Sequence, residues 1–229
     1  MLKRFIAVFA LLAYAGAAGA QAPAKWIEGK HYFRVEPAQP VSTPGKVEVL
    51  DVFSYACPAC NAFQPTLDKL KAALPAGTQI AYLPAAFNVS EDWPVFQRAF
   101  LAAQSLGVAE KSHDAMYDAV WGKGSLSITD KVSGHLLPQA QQPTIEDVAK
   151  FYLAYGVKPE DFLATAKSFT IESQIRRSDA DMLSYKVDST PTLVVNGKYR
   201  LTPSSAGGFA QTIELVQYLV DREKAGSSK

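Results

Sequence analysis

An α/β sheet with a helical insertion is what this 229-residue sequence predicts. Three observations carry that reading. Short β-rich runs stand in the first third of the chain and return near its end. The 100 residues between them, 88–187, read as helices and turns. A strand–turn–strand signal followed by one more helix then closes the chain, an order that fits an insertion into a sheet rather than two unrelated halves.

The elements follow in order. Residues 32–35 are a candidate first strand, followed by a connector rich in proline (Pro37, Pro40, Pro44). Residues 47–53 (VEVLDVF) are almost wholly apolar, as a strand buried on both faces must be, with Asp51 the exception. A helix is expected over 58–74, with Pro58 in its first turn, where a missing N–H costs nothing, and Pro65 inside it as a kink. Residues 79–83 read as a third strand. Helices are expected over 93–106, ending at Gly107, and 110–121, ending at Gly122. The stretch 122–143 is the least regular, a long loop or a loop around one short helix. Thr144 is a candidate N-cap for a helix to Tyr155, with Gly156 beyond it. Further helices are expected over 159–168 and 171–185. Strands return at 192–195 and 198–201 around Asn196-Gly197, a strong hairpin pair, and a last helix covers 209–222.

The chain has two cysteines, in Cys57-Pro58-Ala59-Cys60, where the second strand turns into a helix. A cysteine at a helix N-terminus meets free backbone N–H groups and the positive end of the dipole, both of which favour a thiolate. Cys60 lies one turn further on, close enough to attack a mixed disulfide on Cys57. The spacing is that of a redox pair. Structural zinc would need four ligands, and there is no second cysteine pair, while His31, His113 and His135 are isolated. A c-type haem site would need histidine where Asn61 stands. A purely structural disulfide over so short a loop would stabilise little. Copper(I) on two thiolates is chemically sensible and stays as a non-enzymatic alternative. Trp93, Phe96 and Phe100 share helical spacing and are expected in the core. The histidines are expected at the surface.

Residues 1–22 read as a secretory signal: Lys3 and Arg4, an apolar run from Phe5 to Ala15, and small-x-small sites that place cleavage after Ala20 or Ala22. The apolar run is short for a membrane span. Export suits a lone cysteine pair, because disulfides persist in oxidising compartments. Removing the signal leaves 21 basic residues against 22 acidic ones, so no basic field supports nucleic-acid binding.

Two segments resemble a known family. Phe53-Ser54-Tyr55-Ala56-Cys57-Pro58-Ala59-Cys60 is similar to an FS-aromatic-x-CPxC motif, and Ser189-Thr190-Pro191-Thr192 running into Val195-Asn196-Gly197-Lys198-Tyr199 is similar to an x-Pro segment followed by VNGKY. With the helical insertion and the signal, the chain resembles periplasmic thiol:disulfide interchange proteins of the DsbA type along essentially the whole mature length. The resemblance implies a thioredoxin-like domain from 23–87 and 188–229, interrupted by an inserted helical domain, 88–187. It implies an exported disulfide oxidase in the periplasm of a Gram-negative bacterium, working as a monomer through a Cys57–Cys60 disulfide with no other cofactor and no metal. Cys57 is then the exposed nucleophile and Cys60 the buried resolving thiol. Pro191 is a cis-proline facing them, its neighbouring backbone pairing with substrate like an added strand. Asp51 is a buried acid below the cysteines. The implied partners are reduced or unfolded exported proteins and a membrane quinone-linked oxidase of the DsbB type.

Three positions depart from the best-known oxidases. Ala59 replaces a histidine that helps hold a thiolate. Thr190 replaces a valine and is more familiar from isomerases. The lysine that usually partners the buried acid is missing, with Tyr82 or a neighbour in its place. Each weakens the expectation of a very strong oxidant and keeps a disulfide isomerase or reductase as the enzymatic alternative.

Overall fold

The computed structural model describes residues 25–122 and 124–227; the expected signal, 1–22, lies outside them. The sheet runs in the order β1–β5–β4–β2–β3: β1 is Phe33–Arg34, β2 Val47–Phe53, β3 Thr78–Pro84, β4 Thr192–Val195 and β5 Tyr199–Leu201. The β2–β3 pair is parallel, while β2–β4, β4–β5 and β1–β5 are antiparallel. Strand β2 is central and buried at every residue, which explains its nearly continuous apolar run. Its alternation sends Val47 and Val49 to one face, packed with Phe63, Leu67 and Leu70 of helix α1 (Pro58–Ala73) and Leu215 and Leu219 of the last helix. Leu50 and Val52 face the other way, onto Met182, Tyr185 and Val187. Asp51 has the parity of Val49, so the pleat itself aims the carboxylate to the α1 side.

Between β3 and β4 come α2 (Trp93–Ser105), α3 (Ala109–Trp121), α4 (Ile145–Phe151), α5 (Pro159–Ala166) and α6 (Phe169–Ser184). Phe96 and Phe100 are core residues as their spacing required, with Trp93 partly buried beside them. Thr144 caps α4 in a reciprocal capping box: its hydroxyl accepts the Asp147 N–H at 3.3 Å, and the Asp147 carboxylate accepts the Thr144 N–H at 3.1 Å. The expected helix to Tyr155 tightens into a 3-10 turn over Tyr152–Tyr155 before Gly156 ends it at φ 82°. The irregular stretch holds a short 3-10 turn, Gln139–Gln141. One element was not legible: α7 (Pro203–Ala206), a single turn capped by Thr202, precedes α8 (Phe209–Ser227). Helix α1 runs on through Pro65 to Ala73.

The hairpin β4–β5 turns at Asn196 and Gly197, with φ 51° and 66°. Two consecutive left-handed residues make the tight turn that matches strand twist. Gly197 is constrained twice, because a Cβ there would stand 2.0 Å from the Gln39 carbonyl oxygen. Gly197→Ala is expected to cost about 2 kcal/mol or more, from left-handed strain plus displacement of the 37–41 connector. Urea unfolding would check it; a change below about 0.5 kcal/mol would show that the connector yields freely.

Candidate active site

Helix α1 begins at Pro58 and its N-cap is Cys57, in extended conformation at φ −90° and ψ 117°. A side-chain acceptor at this position normally bonds the N–H groups of the first turn. Here the acceptor is sulfur: Cys57 Sγ takes the Cys60 N–H at 3.3 Å. Both cysteines are free thiols. The Cys57 pKa falls to about 6, chiefly through the hydrogen bond from the Cys60 thiol. Burial opposes that effect, and a Thr190 side-chain hydrogen bond and the backbone N–H groups of Cys60 and Ala59 add to it. Cys60 moves the opposite way, pushed well up by burial and then by its bond to Cys57. Two thiols one helical turn apart therefore differ sharply in acidity.

The Thr190–Pro191 peptide is cis, and the loop that carries it lies over Cys57. The Cys57 thiol reaches the Thr190 carbonyl oxygen at 3.6 Å. β4 follows immediately and pairs with β2, bringing Thr192 opposite Val52 and Leu193 opposite Asp51. This loop corrects the expectation of an exposed nucleophile. Cys57 is only 4% exposed, against 1% for Cys60, with the Thr190 carbonyl against its thiol and the aromatic core of the insertion in the same cluster. Pro58 and Ala59 are exposed.

Asp51 sits beneath the pair, buried, with neither carboxylate oxygen hydrogen-bonded within the protein. Burial raises its pKa to about 7, the Lys71 charge pulls the other way, and the Cys57 charge raises it further. Tyr82 is opposite Asp51 in the β2–β3 register, as the missing lysine suggested. A lysine nonetheless reaches the site from elsewhere: Lys71 of α1 lies 5.9 Å from the centre of the Tyr82 ring.

The segment before Cys57 is held from α3. The Trp121 indole N–H donates to the Tyr55 carbonyl oxygen at 2.7 Å, the Tyr117 hydroxyl to the Ser54 carbonyl oxygen at 3.3 Å, and the Tyr55 hydroxyl meets His113 Nδ1 at 2.9 Å. His113 thus corrects the expectation of surface histidines. It is buried and packed edge-on to Phe53 and Tyr117, and burial lowers its pKa to about 3, with Lys71 adding to the effect. The spacing 113, 117, 121 on a predicted helix was readable; the partner of that row was not.

The thioredoxin family model matches residues 42–215. The chain is 36% identical over 227 residues to the thiol:disulfide interchange protein DsbA of Pseudomonas aeruginosa, covering 99% of this chain and 100% of the relative. The crystal structure of that organism's DsbA superposes with a TM-score of 0.73 at 36% identity, covering 89% of this chain and 97% of that one. Xylella fastidiosa DsbA gives 0.74 at 35% identity, with 86% and 97% covered. The chain belongs to the DsbA family. Its fold is the thioredoxin-like fold with a helical insertion, and it is an enzyme, a disulfide-introducing thiol:disulfide oxidoreductase. A thiol of pKa about 6 is mostly ionised at neutral pH, which suits exchange chemistry.

The depressed Cys57 pKa also makes stability pH-dependent. Its stabilising contribution to the reduced form is complete above the ordinary value of 9.0, shrinks as pH falls, and is gone below about 6. Reduced-minus-oxidised stability should therefore drop with a slope of about 1.4 kcal/mol per pH unit across that window. Paired denaturant melts would read this; a flat difference would contradict a stabilised thiolate. Asp51 acts with the opposite sign. Its raised pKa leaves full stability below 3.8, and stability is lost as pH rises towards about 7. Asp51→Asn should stabilise the protein by on the order of 2–4 kcal/mol at pH 8 and by little at pH 3.5. Equal effects at both pH values would show that the carboxylate is not carrying the penalty.

Proposed function

We propose that Cys57 is the nucleophile and leaving group of an exported disulfide oxidase, and that Cys60 is its resolving partner. One observation carries this reading: the Cys57 sulfur caps the N-terminus of α1 while the Thr190–Pro191 loop meets it from the other side. In the oxidised enzyme a substrate thiolate attacks Cys57 Sγ. The Cys57–Cys60 bond breaks, Cys60 leaves with the electron pair and takes a proton, and a mixed disulfide forms. A second substrate thiolate then attacks the substrate sulfur of that bond, and Cys57 leaves as a thiolate. The substrate loses two electrons and the dithiol gains them. A low pKa makes Cys57 the better leaving group, which drives the cycle towards oxidised substrate.

The other residues tune this exchange. Pro58 and Ala59 make the exposed first turn beside the sulfur. Asp51, protonating near pH 7 beneath Cys60, is suited to supply and recover the Cys60 proton. Thr190 and Pro191 present backbone to a substrate segment, which pairs there as an extended strand. The redox-active disulfide is the whole of the redox equipment, with no separate cofactor or metal.

Partners and place follow from the same reading. Substrates are reduced or unfolded exported proteins in the periplasm of a Gram-negative bacterium, and reoxidation comes from a membrane quinone-linked oxidase of the DsbB type. The chain divides into a signal, 1–22, a thioredoxin-like domain, 23–87 with 188–229, and a helical domain, 88–187, acting as a monomer. No helix among the described residues is long and apolar enough to cross a membrane.

Cysteine variants incubated with a reduced two-cysteine peptide and glutathione disulfide test the roles. Cys60→Ala should accumulate a peptide or glutathione adduct on Cys57, because nothing within the enzyme resolves it. Cys57→Ala should form at least about a hundredfold less, since the Cys60 pKa is raised where that of Cys57 is lowered. Mass spectrometry of the adducts reads the result, and preferential labelling of Cys60 would reverse the assignment.

A further inference from the structure

We propose that the helical insertion sets the reactivity of the cysteine pair through one row of α3: His113, Tyr117 and Trp121 are positioning residues for the backbone that presents Cys57. This rests on the dithiol reading of the site and adds the residues that hold it from outside the sheet.

The three side chains stand at successive i, i+4 positions, so they form one stripe along the helix. All three reach the same short segment. Trp121 donates to the Tyr55 carbonyl oxygen at 2.7 Å, Tyr117 to the Ser54 carbonyl oxygen at 3.3 Å, and His113 Nδ1 pairs with the Tyr55 hydroxyl at 2.9 Å. The segment itself is a turn closed on Cys57. The Cys57 N–H donates to the same Ser54 carbonyl oxygen at 3.1 Å, and the Ala56 N–H to Ser54 Oγ at 3.2 Å. Ring packing completes the clamp, with Tyr55 edge-on to Tyr117 at 5.0 Å and Phe53 edge-on to His113 at 4.9 Å. Ser54, Tyr55, His113 and Tyr117 are all buried, so water cannot replace a lost partner cheaply.

The electrostatic consequence has a definite sign. Carbonyl oxygens are the negative ends of peptide dipoles, and those of Ser54 and Tyr55 belong to the turn that ends at Cys57, the Ser54 one accepting the Cys57 N–H itself. A donor N–H or O–H on each one offsets that negative potential and fixes the carbonyl direction. Losing the Trp121 donor takes that compensation from the Tyr55 carbonyl oxygen, and losing the Tyr117 donor leaves the Ser54 oxygen with the Cys57 N–H alone; either change makes the potential at the turn more negative, which disfavours the thiolate and hence the reduced state. The backbone set at the turn is also what lets Cys57 act as the cap of α1.

Trp121→Phe removes the N–H and keeps an aromatic ring. The titratable groups facing Cys57 are Cys60 on α1, Asp51 on β2 and Tyr117 on α3, and this variant leaves each in place. The Cys57 pKa, from the pH dependence of alkylation in the full-length protein, should rise by about half a unit, slowing alkylation at pH 5 about threefold. The equilibrium with glutathione should shift towards the oxidised form by a similar factor. Tyr117→Phe, which removes a phenol neutral at these pH values, should shift both quantities the same way and serves if Trp121→Phe does not fold. Val120→Ala is the control, because Val120 is buried on α3 outside the row: it should lower stability and leave the pKa unchanged. If the row variants lose stability while their Cys57 pKa and glutathione equilibrium stay at wild-type values, the row is merely structural and the proposal fails. Oxidation of a reduced peptide by the wild-type protein tests the oxidase reading separately; failure there would leave the pKa comparison readable.

Discussion

A sulfur atom stands where helix α1 needs a hydrogen-bond acceptor, and the arrangement of the site depends on that substitution. The first turn of any helix leaves N–H groups without partners. Serine or aspartate usually meets them. Cys57 does so here, and because its acceptor strength depends on charge, the demand of the helix end becomes a bias towards thiolate. Cys60, one turn on, gives its N–H to the same sulfur and is itself pushed towards the neutral thiol by burial. The local fold thus separates two chemically identical groups into one biased towards thiolate and one held as the neutral thiol.

That bias is useful only if the surroundings hold still and the sulfur can be reached. Three parts of the chain that are distant in sequence meet around it. From above comes the Thr190–Pro191 loop, placed by the β2–β4 register. From below comes Asp51, aimed by the pleat of β2 into a space where neither oxygen finds a protein hydrogen bond. From the side come the rings of α3. The carboxylate costs stability once it ionises, and its charge is felt by both cysteines.

Much of this was written in the sequence in forms that local physics can read. The cysteine pair after an apolar strand, Pro58 in the first turn, the Thr144 cap and the Asn196-Gly197 turn are each short-range rules, and the structure follows them within a residue or two. The misreadings have a common origin. His113 looked like a surface residue because one histidine carries no sign of the aromatic cluster that buries it. Cys57 was expected to be exposed from the resemblance alone, and one of its contacts, Thr190, lies 133 residues away. The one-turn helix Pro203–Ala206 is too short to leave a periodic pattern, and its cap is a single threonine.

The sequence by itself determined the chemistry on offer: two thiols at dithiol spacing on a helix end, an acid in the preceding strand, and a sheet interrupted by helices. Only the tertiary structure decided how those groups are tuned. It brought Thr190 to the sulfur and put Lys71 on α1 near Tyr82 and Asp51, where the strand position lacks a lysine. It also turned the row 113, 117, 121 towards Ser54 and Tyr55. The reason is physical. Caps, turns and strand alternation depend on neighbours a few residues apart, whereas desolvation and hydrogen bonding at a buried site depend on whatever the fold packs there, and those neighbours come from every part of the chain.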